Sequence, residues 1–459
     1  MAIIRSRDLV PDLNEIPLEM LLSCIQEHQG GIARLDKLDD YYHGKHAILN
    51  RKLAGEDDLI LPNNKLVTNH AKYITDMAVG YTLGKPVKYT GEKIEPVLEA
   101  YKALDIVSHD AELGKDLSIF GAGPELCYMT SDDVPVPRVA NIDPRQMFLV
   151  VDDTVERRKL FGVHYYERRD IKNDPDGWVI YLYSINYIVQ YHAADLAGTG
   201  FSEISRIQHY WGDVPINEFW NNEECQGDFE QQISLIDAYN LLQSDRVNDK
   251  EQLVDSILAI MGLSLGDNLD ESCKTIQLLK KLKVLELPGP DSRAEWLTKS
   301  LNEDQVELLR KSIKDDIHQS SMVPCLTDEN FAGNSSGVAM RFKLFGLEQL
   351  AQIKERFFIQ GLRNRLQLFA NILAVDISDV EITMTRNLPN NVLELAQIVN
   401  LLDGKVSDET LLGQLPFVEN VEIELSRLAE QRKVNMQVQQ AAFGFPVAVE
   451  GREDADQDE

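Results

Sequence analysis

Asp228-Phe229-Glu230-Gln231-Gln232-Ile233-Ser234-Leu235-Ile236-Asp237-Ala238-Tyr239-Asn240-Leu241-Leu242 opens a run that reaches Leu253 with neither Gly nor Pro. Phe229, Ile233 and Ile236 form one stripe at helical spacing, with Leu235, Tyr239 and Leu242 beside it. A helix of about 25 residues there spans roughly 37 Å at 1.5 Å per residue. A second run begins at Asn302, a capping residue type, with Glu303 and Asp304 in the first turn, where the helix dipole favours acids. Val306, Leu309, Ile313 and Ile317 are its apolar face, and Pro324 stops it. Between the two runs lie possible strands at Ile257 to Leu263 and Val284 to Leu287, separated by Lys280-Lys281-Leu282-Lys283. Two long helices with modest apolar faces, flanking so small an insert, cannot complete a core alone. Packing against copies of themselves would satisfy them, and so would a helical bundle inside one chain.

Working outward, Cys325 to Ser335 reads as a polar, Gly-containing loop, and Ser335 or Ser336 can cap a very long helix from Gly337 to Leu373. Phe342, Phe345, Leu350, Ile353, Phe357, Leu362, Leu366, Phe369 and Leu373 line it, with Gly346 and Gly361 as bend points. A strand from Val380 to Met384 follows, then helices at Val392 to Leu402, Asp408 to Leu415 and Val421 to Ala442. The chain closes in an acidic tail expected to be disordered. On the N-terminal side, 124–216 is rich in aromatic and β-branched residues. Strands are expected at Pro124 to Met129, Gln146 to Val151, Leu160 to Arg168, Trp178 to Tyr183, Tyr187 to His192 and Ile207 to Trp211. Before them come helices from Ile16 to the Gly30-Gly31 pair, from Ile32 to Tyr42, and from Lys65 to Leu83, the last stopped by Gly84 and Pro86. The fold class is therefore α+β.

The 459 residues carry 46 Lys+Arg against 75 Asp+Glu, a net charge of −29, which argues against a protein that coats DNA by neutralising phosphates. It does not argue against one that surrounds DNA without gripping it. With 44% hydrophobic and 26% charged residues the chain is ordinary globular material, long enough for two or three units. Five scattered cysteines form no C-x-x-C pair, and no apolar stretch is long enough to span a membrane, so a soluble intracellular protein with reduced thiols is expected.

Motifs for chemistry are weak. Gly80-Tyr81-Thr82-Leu83-Gly84-Lys85 has some likeness to a phosphate loop, but it is one residue short and Pro86 replaces the Mg²⁺-binding hydroxyl; a helix end is the better reading. His43 and His46 lack the Glu of a zinc helix and read as a surface turn. Asp132-Asp133 and Asp152-Asp153 could hold Mg²⁺ but sit where turns are expected. These residues leave room for a metal-dependent nuclease or transferase, and the long helices for a scaffolding protein.

Four stretches, in order, resemble the portal proteins of tailed bacteriophages of the siphophage type, over about residues 40 to 430. They are Tyr41-Tyr42-His43-Gly44-Lys45-His46-Ala47-Ile48 with Arg51; Pro62-Asn63-Asn64-Lys65 through Asn69, Lys72-Tyr73-Ile74 and Gly80 to Val87; Asn141 to Phe148 with Val151-Asp152-Asp153; and Asp328 to Phe331 with Gly333 to Met340 and Leu344 to Glu348. The resemblance implies a portal fold: a mixed α/β wing (1–226 and 337–404), stem helices (227–253 and 302–323), a small α/β clip (254–301), a tunnel loop (324–336), a helical crown (405–445) and an acidic tail (446–459). It implies a ring of about twelve copies at one capsid vertex, found in the virion and, during assembly, in the host cytoplasm. Such a ring conducts double-stranded DNA without sequence preference in packaging and ejection. It docks the terminase large subunit and a head-completion or adaptor protein, and nucleates assembly with major capsid and scaffolding proteins. No cofactor, metal, membrane or catalytic residue is implied. On that mapping the tunnel-loop residues near DNA are Asn330, Phe331, Gly333, Asn334, Ser335 and Ser336. Arg310, Lys311, Lys314, Arg341 and Lys343 are the cationic candidates, and Lys280, Lys281, Lys283, Leu285 and Leu287 would form the docking clip.

Overall fold

A computed structural model describes residues 2–52, 62–254, 257–261, 293–297, 303–326, 342–387, 399–402, 404–413, 418 and 421–442. It divides into two units, Met1–Asn387 and Leu388–Glu459.

The first unit opens with strand β1 (Ile3–Arg5) and helix α1 (Leu18–Tyr42). Two helices were expected here, broken at Gly30-Gly31; there is one. Both glycines point into open space, and the buried Leu21, Cys24 and Ile25 on one side and Leu38, Tyr41 and Tyr42 on the other anchor both halves. Tertiary packing thus overrides a penalty of about 1 kcal/mol per glycine. Helix α2 (His70–Leu83) starts later than its periodicity predicts: Asn69 caps it by accepting from Lys72 N at 2.9 Å. Its C-cap is Gly84, so the glycine-rich stretch is a helix end. After β2 (Lys88–Thr90), helices α3 (Glu95–Ala103) and α4 (Ile106–Phe120) follow, neither of which the sequence reading contains. Gly121 ends α4 at φ +87°, where a Cβ would lie 2.1 Å from the Cys225 carbonyl oxygen.

The β region comprises β3 (Ala122–Met129), β4 (Pro137–Asn141), β5 (Met147–Asp152), β6 (Lys159–Arg169), β7 (Pro175–Tyr183), β8 (Tyr187–Ala193), β9 (Ser202–Gln208) and β10 (Ile216–Trp220). One sheet runs β1-β5-β6-β7-β8-β9, antiparallel except for the β1–β5 pair; the other runs β10-β3-β4. The last strand of the first sheet was expected at Ile207 to Trp211 but is Ser202–Gln208, and Trp211 instead packs with Leu366 and Phe369. Side chains of β5 alternate between two cores: Phe148 and Val150 face Leu21, Cys24 and Ile25 of α1, while Met147, Leu149 and Val151 meet Leu126, Val214 and Ile216. All six β5 residues are buried, so a one-residue slip would exchange the two sets.

Next come α5 (Ile233–Val254), the antiparallel pair β11 (Ile257–Met261) and β12 (Arg293–Leu297), and α6 (Glu303–Ser320). The return strand is thus Arg293–Leu297; Val284 to Leu287 lies outside the described residues. Helix α7 (Phe345–Leu373) runs uninterrupted, and Gly361 serves close packing within it: a Cβ there would sit 2.2 Å from Phe219. Strand β13 (Glu381–Thr383) pairs antiparallel with β2. In the second unit, α8 (Asp408–Gly413) and α9 (Val421–Ala442) fall where the periodicity places helices, and Arg432 reaches Asp408 at 3.1 Å.

Candidate functional site

Three contacts define how α5 and α6 lie together. Tyr239 receives a hydrogen bond from Arg310 Nη1 (2.9 Å), Arg246 Nη1 donates to Glu307 (2.8 Å), and Lys250 Nζ meets Glu303 (3.2 Å). Moving forward along α5 means moving backward along α6, so the pair is an antiparallel hairpin continued by β11 and β12. Its base is apolar, with Ile236, Tyr239 and Ile317 buried. Its middle is held by partly exposed ion pairs. Arg310 and Arg246 pull the Glu307 carboxyl down to about 2.

This places the cationic candidates unevenly. Arg310 is engaged by Glu307 and Tyr239, and Lys314 is half-buried, with its charge near His70 and Tyr73. Lys311 is exposed on α6, and Lys343 lies just before α7. Arg341, the loop residues Asn330, Phe331, Gly333, Asn334, Ser335 and Ser336, and the clip residues Lys280, Lys281, Lys283, Leu285 and Leu287 lie outside the described residues.

Two buried cations that the sequence analysis does not single out tie the foot of the hairpin to the body and the body to itself. Lys354 of α7 is buried, donating to Asp228 at 2.5 Å and to Ser118 Oγ at 2.6 Å; burial lowers its pKa against the pull of Asp228. Arg365, fully buried, donates to Asp110 (2.7 Å) and through Nε to both oxygens of Glu125 (2.8 and 3.0 Å). His109 Nε2 lies 2.7 Å from Glu125. Burial alone would push the Glu125 carboxyl up, but Arg365 and His109 hold it down at about 2; Asp110 is left raised by its burial. Lys354 and Arg365 are separated by about three helical turns, so both share the face of Phe358, Leu362 and Phe369. A cation on an apolar helical face was the available signal.

The acidic pairs resolve as turns. Asp152 Oδ1 accepts from Thr154 N, Thr154 Oγ1 and Arg158 N, closing the corner between β5 and β6. Asp143 and Arg145, in the third of the resembling stretches, form a bidentate pair that Asp36 and Asp39 extend. His46 corrects the surface-turn reading: it is buried, bonded to Tyr41 O at 2.9 Å and to Asn240 Nδ2 at 2.8 Å, while His43 is exposed. A cleft of about 1240 Å³ lies beside the β5–β6 corner and Phe357. Two of its cations are paired, Arg158 with Glu156 and Lys159 with Asp213. Among the described residues no cluster of three or more His, Cys, Asp or Glu could hold a metal, and no helix is long and apolar enough to cross a membrane.

The fold is thus an α+β body that carries an antiparallel helical hairpin, with the buried Asp228–Lys354 pair just ahead of α5. The chain belongs to the phage portal protein family, SPP1 Gp6-like, whose model matches residues 21–438. It is 26% identical over 395 residues to the portal protein of Bacillus phage SPP1, covering 80% of this chain and 76% of that one. It is 22% identical over 440 residues to the portal protein of Clostridium phage phiCD119, covering 91% and 96%. The family is structural rather than enzymatic, and its members are virion components.

Proposed function

We propose that this chain assembles into a ring of about twelve copies at one capsid vertex and serves there as the conduit for double-stranded DNA. The observation that carries the reading is the family match across residues 21–438, together with the antiparallel α5–α6 hairpin where a stem is required. In this reading α5 and α6 are the stem, residues 254–301 the clip that docks the terminase large subunit and later a head-completion or adaptor protein, and 324–336 the tunnel loop. The ring nucleates assembly with major capsid and scaffolding proteins.

The charge of −29 suits a sleeve through which DNA must slide, since each lysine–phosphate contact adds salt-dependent affinity that would slow it. Of the stem cations, Lys311 is the better placed for transient phosphate contact, because Arg310 is held by Glu307 and Tyr239. Negative-stain microscopy with native mass spectrometry tests the assembly. Annular particles with a central hole, formed alone or with scaffolding and capsid protein, are expected. Filaments, or a compact dimer that never closes into rings with those partners, would sink the reading. A deletion of 330–335 should leave rings intact and impair packaging or retention of DNA. Wild-type packaging by that variant would remove any special role from the loop.

A further inference from the structure

Residues 62–69, which precede α2, run along α5 in the opposite direction and are held there through their main chain. Asn64 N donates to Asn248 Oδ1 (2.7 Å), Leu66 N to Ser244 Oγ (2.9 Å) and Thr68 N to Asn240 Oδ1 (2.8 Å). Every second amide is thus matched to every fourth helical residue. Two residues of extended chain advance about 6.6 Å and four helical residues 6.0 Å, so the two repeats stay in phase for about three rungs. Chemistry closes the ladder at both ends. Pro62 has no N–H, and Ile236, one helical step below Asn240, has no acceptor.

The acceptors are built in. Asn240 and Ser244 are fully buried and Asn248 nearly so. Ser244 Oγ also donates to Asn240 O (2.7 Å), and Asn240 Nδ2 donates to His46 Nδ1 (2.8 Å), which orients both groups. Flanking contacts extend the same stripe: Tyr41 to Asp237, Arg51 to Asp245, and Asn64 Nδ2 to Glu251. The face of α5 that meets α6, through Tyr239, Arg246 and Lys250, is a different one.

We propose that residues 62–69 form a strap that engages and leaves α5 as one cooperative unit, and that together with Tyr41, His46 and Arg51 it fixes the rotation of the α5–α6 hairpin against α2. Its rungs are main-chain N–H groups, so they are sensitive to the spacing of those donors, and the Asn64 side chain reinforces the first rung by donating to Asn248 Oδ1 (3.0 Å) and Glu251 (2.8 Å). Release would leave this face of α5 held by Tyr41 to Asp237, His46 to Asn240 and Arg51 to Asp245, and α6 joined to it through the ion pairs on the other face.

Native-state hydrogen exchange on the full-length chain, resolved at amides 64, 66 and 68, tests this. In Ser244→Ala all three amides should exchange faster by one common factor of about tenfold, the effect of one net hydrogen bond. Ser244→Thr, which keeps the oxygen, should retain the wild-type rates. Should Ser244→Ala fail to fold, Leu66→Pro removes the same rung from the strap side and Leu66→Ala keeps it; amides 64 and 68 should then accelerate in the first and not in the second. Acceleration confined to amide 66 in Ser244→Ala, or amides 64 and 68 that ignore Leu66→Pro, would overturn the proposal, as would three amides already unprotected in the wild type.

Discussion

The α5–α6 hairpin and helix α7 both use cation–carboxylate pairs, but in opposite surroundings. Arg246, Lys250 and Arg310 meet Glu303 and Glu307 at partly exposed positions, where water and salt screen the attraction. Lys354 and Arg365 meet Asp228, Asp110 and Glu125 with nearly all water removed. Exposed pairs choose a register at little gain, whereas buried ones punish any departure, because a lost partner leaves a stranded charge. The ion-paired contact between α5 and α6 is therefore the adjustable region and α7 the fixed one.

Breaking the buried side should have the largest effect. Arg365→Met leaves Glu125 and Asp110 without their cation and should destabilise the fold by about 3–5 kcal/mol in urea titration; a loss below about 1 kcal/mol would show that these carboxylates are not charged in the native state. The second largest is a pH effect on the same body. Burial lowers His28 and His70 from 6.5 to about 4. The folded chain keeps these rings neutral while the unfolded chain takes protons, so the stability they supply is complete above pH 6.5 and is lost as pH falls toward 4. Each should account for up to about 3 kcal/mol across that window. Urea midpoints at several pH values should fall through it, and His70→Gln should flatten part of the slope; a level profile would contradict the burial described.

Gly361→Ala sets a methyl against Phe219 and should cost about 1–3 kcal/mol through overpacking, read as a lower thermal midpoint. Smallest is Arg246→Ala in the hairpin. Its melting temperature should stay close to wild type, and any difference should vanish in half-molar salt. A large, salt-resistant loss there would erase the distinction between the two regions.

Much of the chain was readable from period and punctuation. The aromatic, β-branched runs became β5 to β8, Val421 to Ala442 became α9, and the run expected to be helical from Asp228 became α5, which begins only at Ile233, because each of these carries its own local pattern. What could not be read depends on distant partners. Gly30-Gly31 reads as a break until both halves of α1 are seen to be pinned, and Lys65 reads as helix until the amides of 64, 66 and 68 are seen to be taken by α5. Lys354 and Arg365 were passed over because a cation on an apolar stripe has no meaning without Asp228, Asp110 and Glu125, which lie far away in sequence.

Asp228 stands five residues ahead of α5 and is at the same time the partner of buried Lys354. One residue inserted or deleted between Ile233 and Asn240 would turn the rest of the helix by about 100°, carrying strap acceptors and hairpin partners off their marks together. Length changes tolerated by selection should therefore gather beyond Val254, at the far end of the hairpin, and spare its foot. The chain is free to evolve its reach but not its phase.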